Sequence, residues 1–257
     1  MNVIKHTLPD YDRIEILPLA DLHIGDIHSD GKKIMEWLKY IEEHENCYCI
    51  LNGDLCNVAI RNSLSDIYGE NPMPMQQLEQ CVKIFGPIKD KILAVTSGNH
   101  EARIYKTDGL DMTQIMCNQL GIGDRYAPAT ALLFVTFGMQ NGHKNHYPVT
   151  YSIMVSHGNG GGRLESSKIN RLLQLASICD ADIYIHSHTH VPAIVRNSYY
   201  RTFAPRKSIE KVDRLFVNTS SSLEYGGYGE FQNYKPNSIE TPIITLSGRE
   251  RKMWATL

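Results

Sequence analysis

Five short apolar runs, each ending next to a residue able to bind a metal, constrain this chain more than any other feature. "RIEILPLA" leads into Asp21-Leu22-His23, and "CYCILN" into Gly53-Asp54. "KILAVTS" leads into Gly98-Asn99-His100-Glu101, "VTYSIMVS" into His157-Gly158, and "ADIYIH" into His188-Thr189-His190. Short runs rich in β-branched residues and bounded by Gly, Asn, Asp and Ser read as strands. Open α/β sheets carry their sites outside the carboxyl ends of strands, so the five loops are expected to converge on one crevice.

"ALLFVTF" and "RLFVNT" add two further strands. Helical spacing appears in Ile34, Trp37, Leu38 and Ile41, again in Leu78, Cys81, Val82 and Phe85, and again in Ile169, Leu172, Leu173 and Ala176. Ser29 and Asp30 stand where the first helix needs a cap. Asn141-Gly142 suits a hairpin between "ALLFVTF" and "VTYSIMVS". Strands interleaved with covering helices predict an α/β sandwich. No repeat, low-complexity tract or Pro/Ser-rich linker divides the 257 residues, so residues 1–257 are expected to form one domain.

Hydrophobic residues make up 42% and charged residues 21%, values of an ordinary globular protein. The formal net charge of -2 gives no global basic field for nucleic acid, so polyanion affinity has to come from a local patch or from bound cations. "MNVIKHTLPDYDRIEILPLADLH" has no continuous apolar core, and no run is long enough to span a bilayer; a cytoplasmic protein with no membrane partner is expected. Cys47, Cys49, Cys56, Cys81, Cys117 and Cys179 lie mostly in apolar runs and read as buried free thiols.

"ADIYIHSHTHVPA" places His186, His188 and His190 at alternate positions, which in an extended chain share one side. Singly, each motif has an ordinary explanation. Asp-x-His also occurs at Asp26-Ile27-His28, which falls after the strand and is read as solvated loop, and a lone His157 is readily a hydrogen-bonded structural residue. Taken together and in this order, the five motifs resemble the calcineurin-like metallophosphoesterase superfamily, whose pattern is Asp-x-His, Gly-Asp, Gly-Asn-His-Asp/Glu, His and Gly-His-x-His. The likeness runs from Asp21 to His190, and "ADLHIG" and "TSGNHE" resemble prokaryotic and phage members. Ser187 departs from the pattern, standing where Gly precedes the first histidine of the last motif.

The resemblance implies a four-layer α/β/β/α sandwich of two mixed sheets and two divalent metal ions. Asp21, His23 and His190 would hold one ion, Asn99, His157 and His188 the other, and Asp54 would bridge them. Mixed imidazole and oxygen donors without cysteine suit Mn²⁺, the favoured ion, or Fe or Zn²⁺, more than Ca²⁺ or a closed structural zinc. Two ions about 3.5–4 Å apart can hold a hydroxide and stabilise an in-line displacement at phosphorus. His100 resembles the general acid that protonates the leaving oxygen. Many relatives carry a carboxylate three residues after the bridging Asp to orient that histidine; Asn57 stands there, whose amide oxygen can accept the imidazole N–H but cannot stabilise the imidazolium as a carboxylate does, so no dyad is assigned. The family gives His186 no role, which leaves packing or hydrogen bonding behind the ligands.

A metal-dependent phosphoric ester hydrolase follows, with phosphodiesterase or nuclease activity favoured over a phosphomonoesterase or protein phosphatase. A scaffold without catalysis is the third reading, disfavoured because His100 and all seven candidate ligands are present. Three features bear on the substrate. "RNSYYRTFAPRKSIEKVDR", Arg196 to Arg214, interleaves basic residues with Tyr199, Tyr200 and Phe203 and reads either as a single-stranded nucleic acid or nucleotide surface or as a hairpin with its rings packed inward. Arg103 could clamp a phosphate oxygen or form a salt bridge. "HGNGGGRLESSK" could contact an anion with Arg163 and Lys168 near, or form a flexible loop. "GDLCNVAIRNS" lacks the arginine pattern of the Ser/Thr phosphatases, whose Glu the chain does share at Glu101. "SSSLEYGGYGEFQNY" reads as a site rim or a partner contact.

Overall fold

The apolar runs pair into two sheets whose faces alternate between a shared core and a helical cover. A computed structural model describes residues 1–61, 63, 72–139 and 147–257; the expected hairpin residues Asn141 and Gly142 lie outside them. In chain order the elements are β1 (Asn2–Thr7), β2 (Arg13–Leu19), α1 (Gly31–Glu43), β3 (Cys47–Asn52), α2 (Pro74–Phe85), β4 (Ile92–Thr96), α3 (Ala102–Asp108), α4 (Met112–Leu120), β5 (Tyr126–Ala127) and β6 (Thr130–Phe137). They continue with β7 (Val149–Ser156), α5 (Glu165–Gln174), β8 (Ile183–His186), β9 (Ala193–Phe203), β10 (Ser208–Asn218), α6 (Gly227–Phe231), β11 (Ile243–Ser247) and β12 (Met253–Thr256).

One sheet runs β1-β6-β7-β8-β10-β9 and the other β12-β11-β2-β3-β4-β5. Both are mixed: β2, β3, β4 and β5 are parallel neighbours while β11 runs against β2, and β7, β8 and β10 are parallel while β6 runs against β7. Alternation along each strand explains the layers. Ile14, Ile16 and Ile50 of one sheet meet Ile153, Ile185 and Val217 of the other in the central core. The opposite faces are covered separately. Leu17, Cys49 and Leu51 pack against Trp37, Leu78 and Met116 of α1, α2 and α4, while Met154, Tyr184 and Phe216 pack against Leu172 of α5. This is the expected α/β/β/α sandwich of two mixed sheets.

The helices follow their patterns. Ile34, Trp37, Leu38 and Ile41 are all buried, and Asp30 caps α1 by accepting the amides of Lys32 and Lys33 at 3.0 Å. Ser29, the other cap candidate, instead donates to the Leu22 carbonyl at 2.7 Å. Five of the six cysteines are buried, and Cys179 is half-buried. Among the described residues, no helix is long and apolar enough to cross a membrane.

The Arg196–Arg214 segment forms the β9–β10 hairpin, whose antiparallel ladder runs from Ser208–Phe203 to Asn218–Ala193. Its rings do not pack inward: Tyr199 is 41%, Tyr200 74% and Phe203 42% exposed. Much of its basic charge is matched internally. Arg196 pairs with Asp213, Arg201 with Asp180, and the buried Arg214 with Asp180 and Asp182.

Candidate metal centre

The chain turns its polar residues into the crevice by left-handed bends directly after the strands. Asp21, His23, Asp54, His188 and His190 all have positive φ, between 46° and 65°. Such conformations cost of order 1–3 kcal/mol each in non-glycine residues and persist only where the surroundings over-determine them. β8 ends at His186, so His188 and His190 reach the site through these bends and not through the strand alternation expected of them. Gly53 (φ +78°) and Gly98 make room: a Cβ on Gly98 would overlap both the carboxylate and the amide of Asp54.

Three overlapping groups result, each able to hold a metal ion: Asp21, His23 and His190; His23, Asp54 and His100; and Asp54, His157 and His188. Asp54 is shared between the second and third, and His23 between the first and second. Asp21 Oδ1 lies 3.2 Å from His190 Nε2, and His23 Nε2 faces His190 Nε2 at 3.5 Å. On the other side His157 Nε2 lies 3.2 Å from both Asp54 Oδ2 and Asn99 Oδ1. All seven sequence-predicted ligands are therefore brought together. Asp26 and His28, set aside in the sequence, join none of the groups; Asp26 instead accepts the His28 amide at 2.8 Å.

The electrostatics fit a cation. Asp21 Oδ1 and His23 Nδ1 are buried and without a hydrogen bond among the described residues, a costly state that a bound cation would relieve at the carboxylate. Burial and the neighbouring His100 hold His23 well below the ordinary histidine range, leaving it neutral, as a ligand must be. Burial alone would raise Asp54, but His157 and His100 hold it well below the carboxylate range. Burial opposes charge on His157, yet Asp54 and Asp21 push it up to about 10. Nitrogen and oxygen donors with no thiolate suit a divalent transition-metal ion.

A shell of hydrogen bonds holds these groups in place. His157 Nδ1 donates to the Asn52 carbonyl at 2.7 Å, which aims Nε2 into the site. The Asn52 side chain ties the two sheets together, donating to the Ser156 carbonyl at 3.0 Å and to Ser187 Oγ at 2.6 Å while accepting from Thr96 Oγ1 at 2.6 Å. Ser187 thus stands at the usual glycine position with an ordinary negative φ and a hydroxyl in use. Asp21 Oδ2 accepts the His188 amide at 2.9 Å, joining the first motif to the last. Ser221 and Ser222 donate to the carbonyls of Asp21 and Leu22, so the serine run braces the first motif from behind. His186 is hydrogen-bonded through Nδ1 to Asn218 Oδ1 at 2.8 Å and packs where a Gly158 side chain would otherwise sit.

Glu101 is the supporting residue the sequence least revealed. Its buried carboxylate accepts the backbone amides of Asp54, Leu55, Cys56 and Gly98 at 2.6–3.1 Å. Only its place beside His100 in "GNHE" pointed to it.

His100 Nε2 lies 3.9 Å from Asp54 Oδ2, and Nδ1 donates at 2.6 Å to the backbone carbonyl of Asn57. The Asn57 side chain itself turns to Asp26, donating at 3.3 Å. Arg103 donates from Nη2 to His100 Nε2 at 3.0 Å and from Nη1 to the carbonyls of Asn57 and Val58. With one proton on Nδ1, His100 here is neutral, and burial, together with Arg103 working against Asp54, keeps it below its ordinary pKa. Arg163 lies outside the three groups, its guanidinium 5.9 Å from the centre of the Tyr234 ring.

No curated protein matches the chain. Among solved structures it is similar to a conserved uncharacterized protein, a predicted phosphoesterase, from Streptococcus pneumoniae TIGR4, at 15% identity, covering 95% of this chain and 98% of that one with a TM-score of 0.37. It is also similar to a metallophosphoesterase from Sphaerobacter thermophilus, at 11% identity, covering 91% and 84% with a TM-score of 0.41. A family model described as calcineurin-like phosphoesterase matches residues 22–192, from the residue after Asp21 to two residues past His190. That span carries the converging loops from Leu22 onward, and the chain belongs to the calcineurin-like phosphoesterase family.

Proposed function

We propose that this protein hydrolyses phosphodiester bonds, in nucleic acid or a nucleotide ester, with two divalent ions, manganese first and iron or zinc as alternatives. Asp21, His23 and His190 would hold one ion and Asn99, His157 and His188 the other, with Asp54 available to both. The observation that carries this reading is the meeting of eight side chains from five loops, with His100 Nε2 only 3.9 Å from Asp54 Oδ2. Bound ions supply Lewis acidity and lower the pKa of water at the reacting phosphorus.

The protein's own groups do the rest. His100 delivers a proton to the leaving oxygen from Nε2, while the Asn57 carbonyl keeps the other ring proton on Nδ1. Arg103 now occupies that Nε2 as a donor. When the guanidinium turns to a phosphate oxygen, Nε2 is released to take up a proton from solvent, which it then gives to the leaving oxygen, so one movement couples substrate binding to the acid. Arg163 contacts substrate at the rim.

A phosphomonoesterase is the second reading, suggested by the Glu101 shared with protein phosphatases. Here that carboxylate is committed to four backbone amides, a scaffolding task compatible with either substrate. The missing phosphatase arginine pattern and the exposed rings of the β9–β10 hairpin favour the diester.

The test is hydrolysis of bis-p-nitrophenyl phosphate and p-nitrophenyl phosphate in parallel with Mn²⁺, with His100→Ala and Asp54→Asn as controls. Diester preference lost in both variants supports the proposal. Monoester preference moves the assignment to a phosphatase, and turnover undiminished in both variants overturns the site.

A further inference from the structure

Beside the metal centre lies a second basic cavity that the proposed chemistry leaves unused. It has a volume of about 70 Å³ and is lined by Lys168, Arg171, Ser167, Thr189 and the glycines of Gly160–Gly162. A water needs roughly 10–15 Å³ of such space, so the cavity admits a group of several heavy atoms. Thr189 separates His188 from His190, which places the cavity against two of the candidate ligands.

Lys168 and Arg171 sit three residues apart on α5 and therefore share a face. Neither makes a hydrogen bond or ion pair through its side chain among the described residues. Burial holds Lys168 below its ordinary pKa, as expected of a cation facing a wall without a counter-charge. Glycine is needed for the opposite wall. Gly160 has φ +87°, and a Cβ there would come within 3.2 Å of the Arg171 guanidinium. A Cβ on Gly162 would overlap Ser167 Oγ. The amides of Gly160, Gly161 and Gly162 make no hydrogen bond among the described residues. Two unpaired cations and free amides around one small cavity are the chemistry of phosphate recognition.

We propose that this cavity binds a second phosphate of the substrate, next to the one at the metal centre. The inference rests on the phosphodiesterase reading and narrows it to substrates with two phosphates, either neighbouring phosphates of a strand or the linked phosphates of a nucleoside polyphosphate.

Calorimetric titration of the full chain, with Mn²⁺ and with a chelator, compares thymidine 5′-monophosphate, thymidine 3′,5′-bisphosphate and thymidine 5′-diphosphate. A two-phosphate nucleotide is expected to bind about tenfold tighter than the monophosphate, a contact to a charged group being worth that much or more. A bisphosphate advantage identifies the strand, and a diphosphate advantage the polyphosphate. Lys168→Ala and Arg171→Ala each reduce that ratio toward one, and Lys168→Arg retains it, with the fold checked by circular dichroism. Equal binding of the three nucleotides, or a ratio unchanged in the Lys168→Ala/Arg171→Ala double variant, overturns the proposal. The two readings fail separately: a ratio that persists in chelator while neither nitrophenyl ester is turned over removes the phosphodiesterase and keeps the subsite. Diester turnover with a ratio of one does the reverse.

Discussion

Glu101 Oε1 accepts the Leu55 amide at 2.6 Å, joining the loop after β4 to the loop after β3. The same carboxylate takes three further amides, including that of Asp54. Through the Asp54 amide it helps hold the left-handed bend that aims the Asp54 carboxylate, whose Oδ1 accepts the His100 amide at 2.8 Å.

Glu101→Ala therefore leaves four amides without their acceptor, and each unsatisfied buried donor costs about 1–3 kcal/mol. Urea denaturation should show a loss of at least about 3 kcal/mol, with Mn²⁺ affinity falling as well. Glu101→Gln keeps one acceptor oxygen and should lose less. Unchanged stability in Glu101→Ala would show that the amides find other partners.

Gly98→Ala tests the cradle around Asp54 directly. The new methyl group would overlap the Asp54 carboxylate and amide, neither of which can retreat, so hydrolysis should fall by about 100-fold or more, in keeping with a misplacement of about 1 Å. Gly31→Ala is the matched control. It opens α1 with nothing within 4 Å of the added carbon, and should stabilise by up to about 1 kcal/mol. Equal activity in the two variants contradicts the packing described.

Metal binding should release a proton. His157 is pushed up to about 10 by Asp54 and Asp21 against the effect of burial, so at pH 7 the metal-free protein carries a proton there that a cation must expel. His23 and His188 are held below the ordinary range and Asp21 and Asp54 below theirs, so these groups contribute no further release. Affinity for Mn²⁺ should thus rise by up to about tenfold per pH unit between pH 6 and 9. Titrations in buffers of different ionisation enthalpy measure the release at pH 7, about one proton per chain from His157 and a further fraction from Glu101, which burial and Asp54 push up to about 7. Binding independent of pH would contradict it.

Asp182 tests stability away from the site. It stands just before β8, at the end of the strand opposite His186, where both of its oxygens lie 2.7 Å from Arg251 Nη2 and Oδ2 accepts the Ser152 amide at 2.9 Å. Burial works to raise it, but Arg251 and Ser152 bring it below the ordinary carboxylate range. A depressed folded pKa gives stability that is present above the unfolded value, near 3.9, and lost as pH falls through the folded value. Asp182→Ala should cost about 3 kcal/mol at pH 7, with a flatter loss below pH 4 and unaltered Mn²⁺ affinity. Wild-type acid sensitivity in the variant would place the titrating group elsewhere.

Much of this arrangement was legible in the sequence because periodicity and strand-end chemistry are local. Ile14 and Ile16 alternate inward, Ile34 to Ile41 keep helical spacing, and five apolar runs announce five loops. What stayed hidden depends on contacts between distant segments. That the main-chain carbonyl of Asn57 accepts from His100 while its side chain turns to Asp26 shows only in the folded loop. Extended geometry was assumed for His188 and His190, whose left-handed bends are held by long-range bonds such as Asp21 to the His188 amide. β1, β5, β11 and β12 were missed, whereas β9 falls largely within the hairpin reading of Arg196–Arg214. β5 is only two residues long, and β11 takes its place from pairing with β2 and β12 from pairing with β11.

The central claim is that these loops hold two divalent ions through Asp54. Counting Mn²⁺ per chain by calorimetric titration, with circular dichroism to confirm the fold, tests it most directly. The account predicts two ions for the wild type and at most one tightly bound ion for Asp54→Ala. A folded wild-type chain that binds no Mn²⁺, Fe²⁺ or Zn²⁺, or an Asp54→Ala variant that still binds two ions with unchanged affinity, would contradict it.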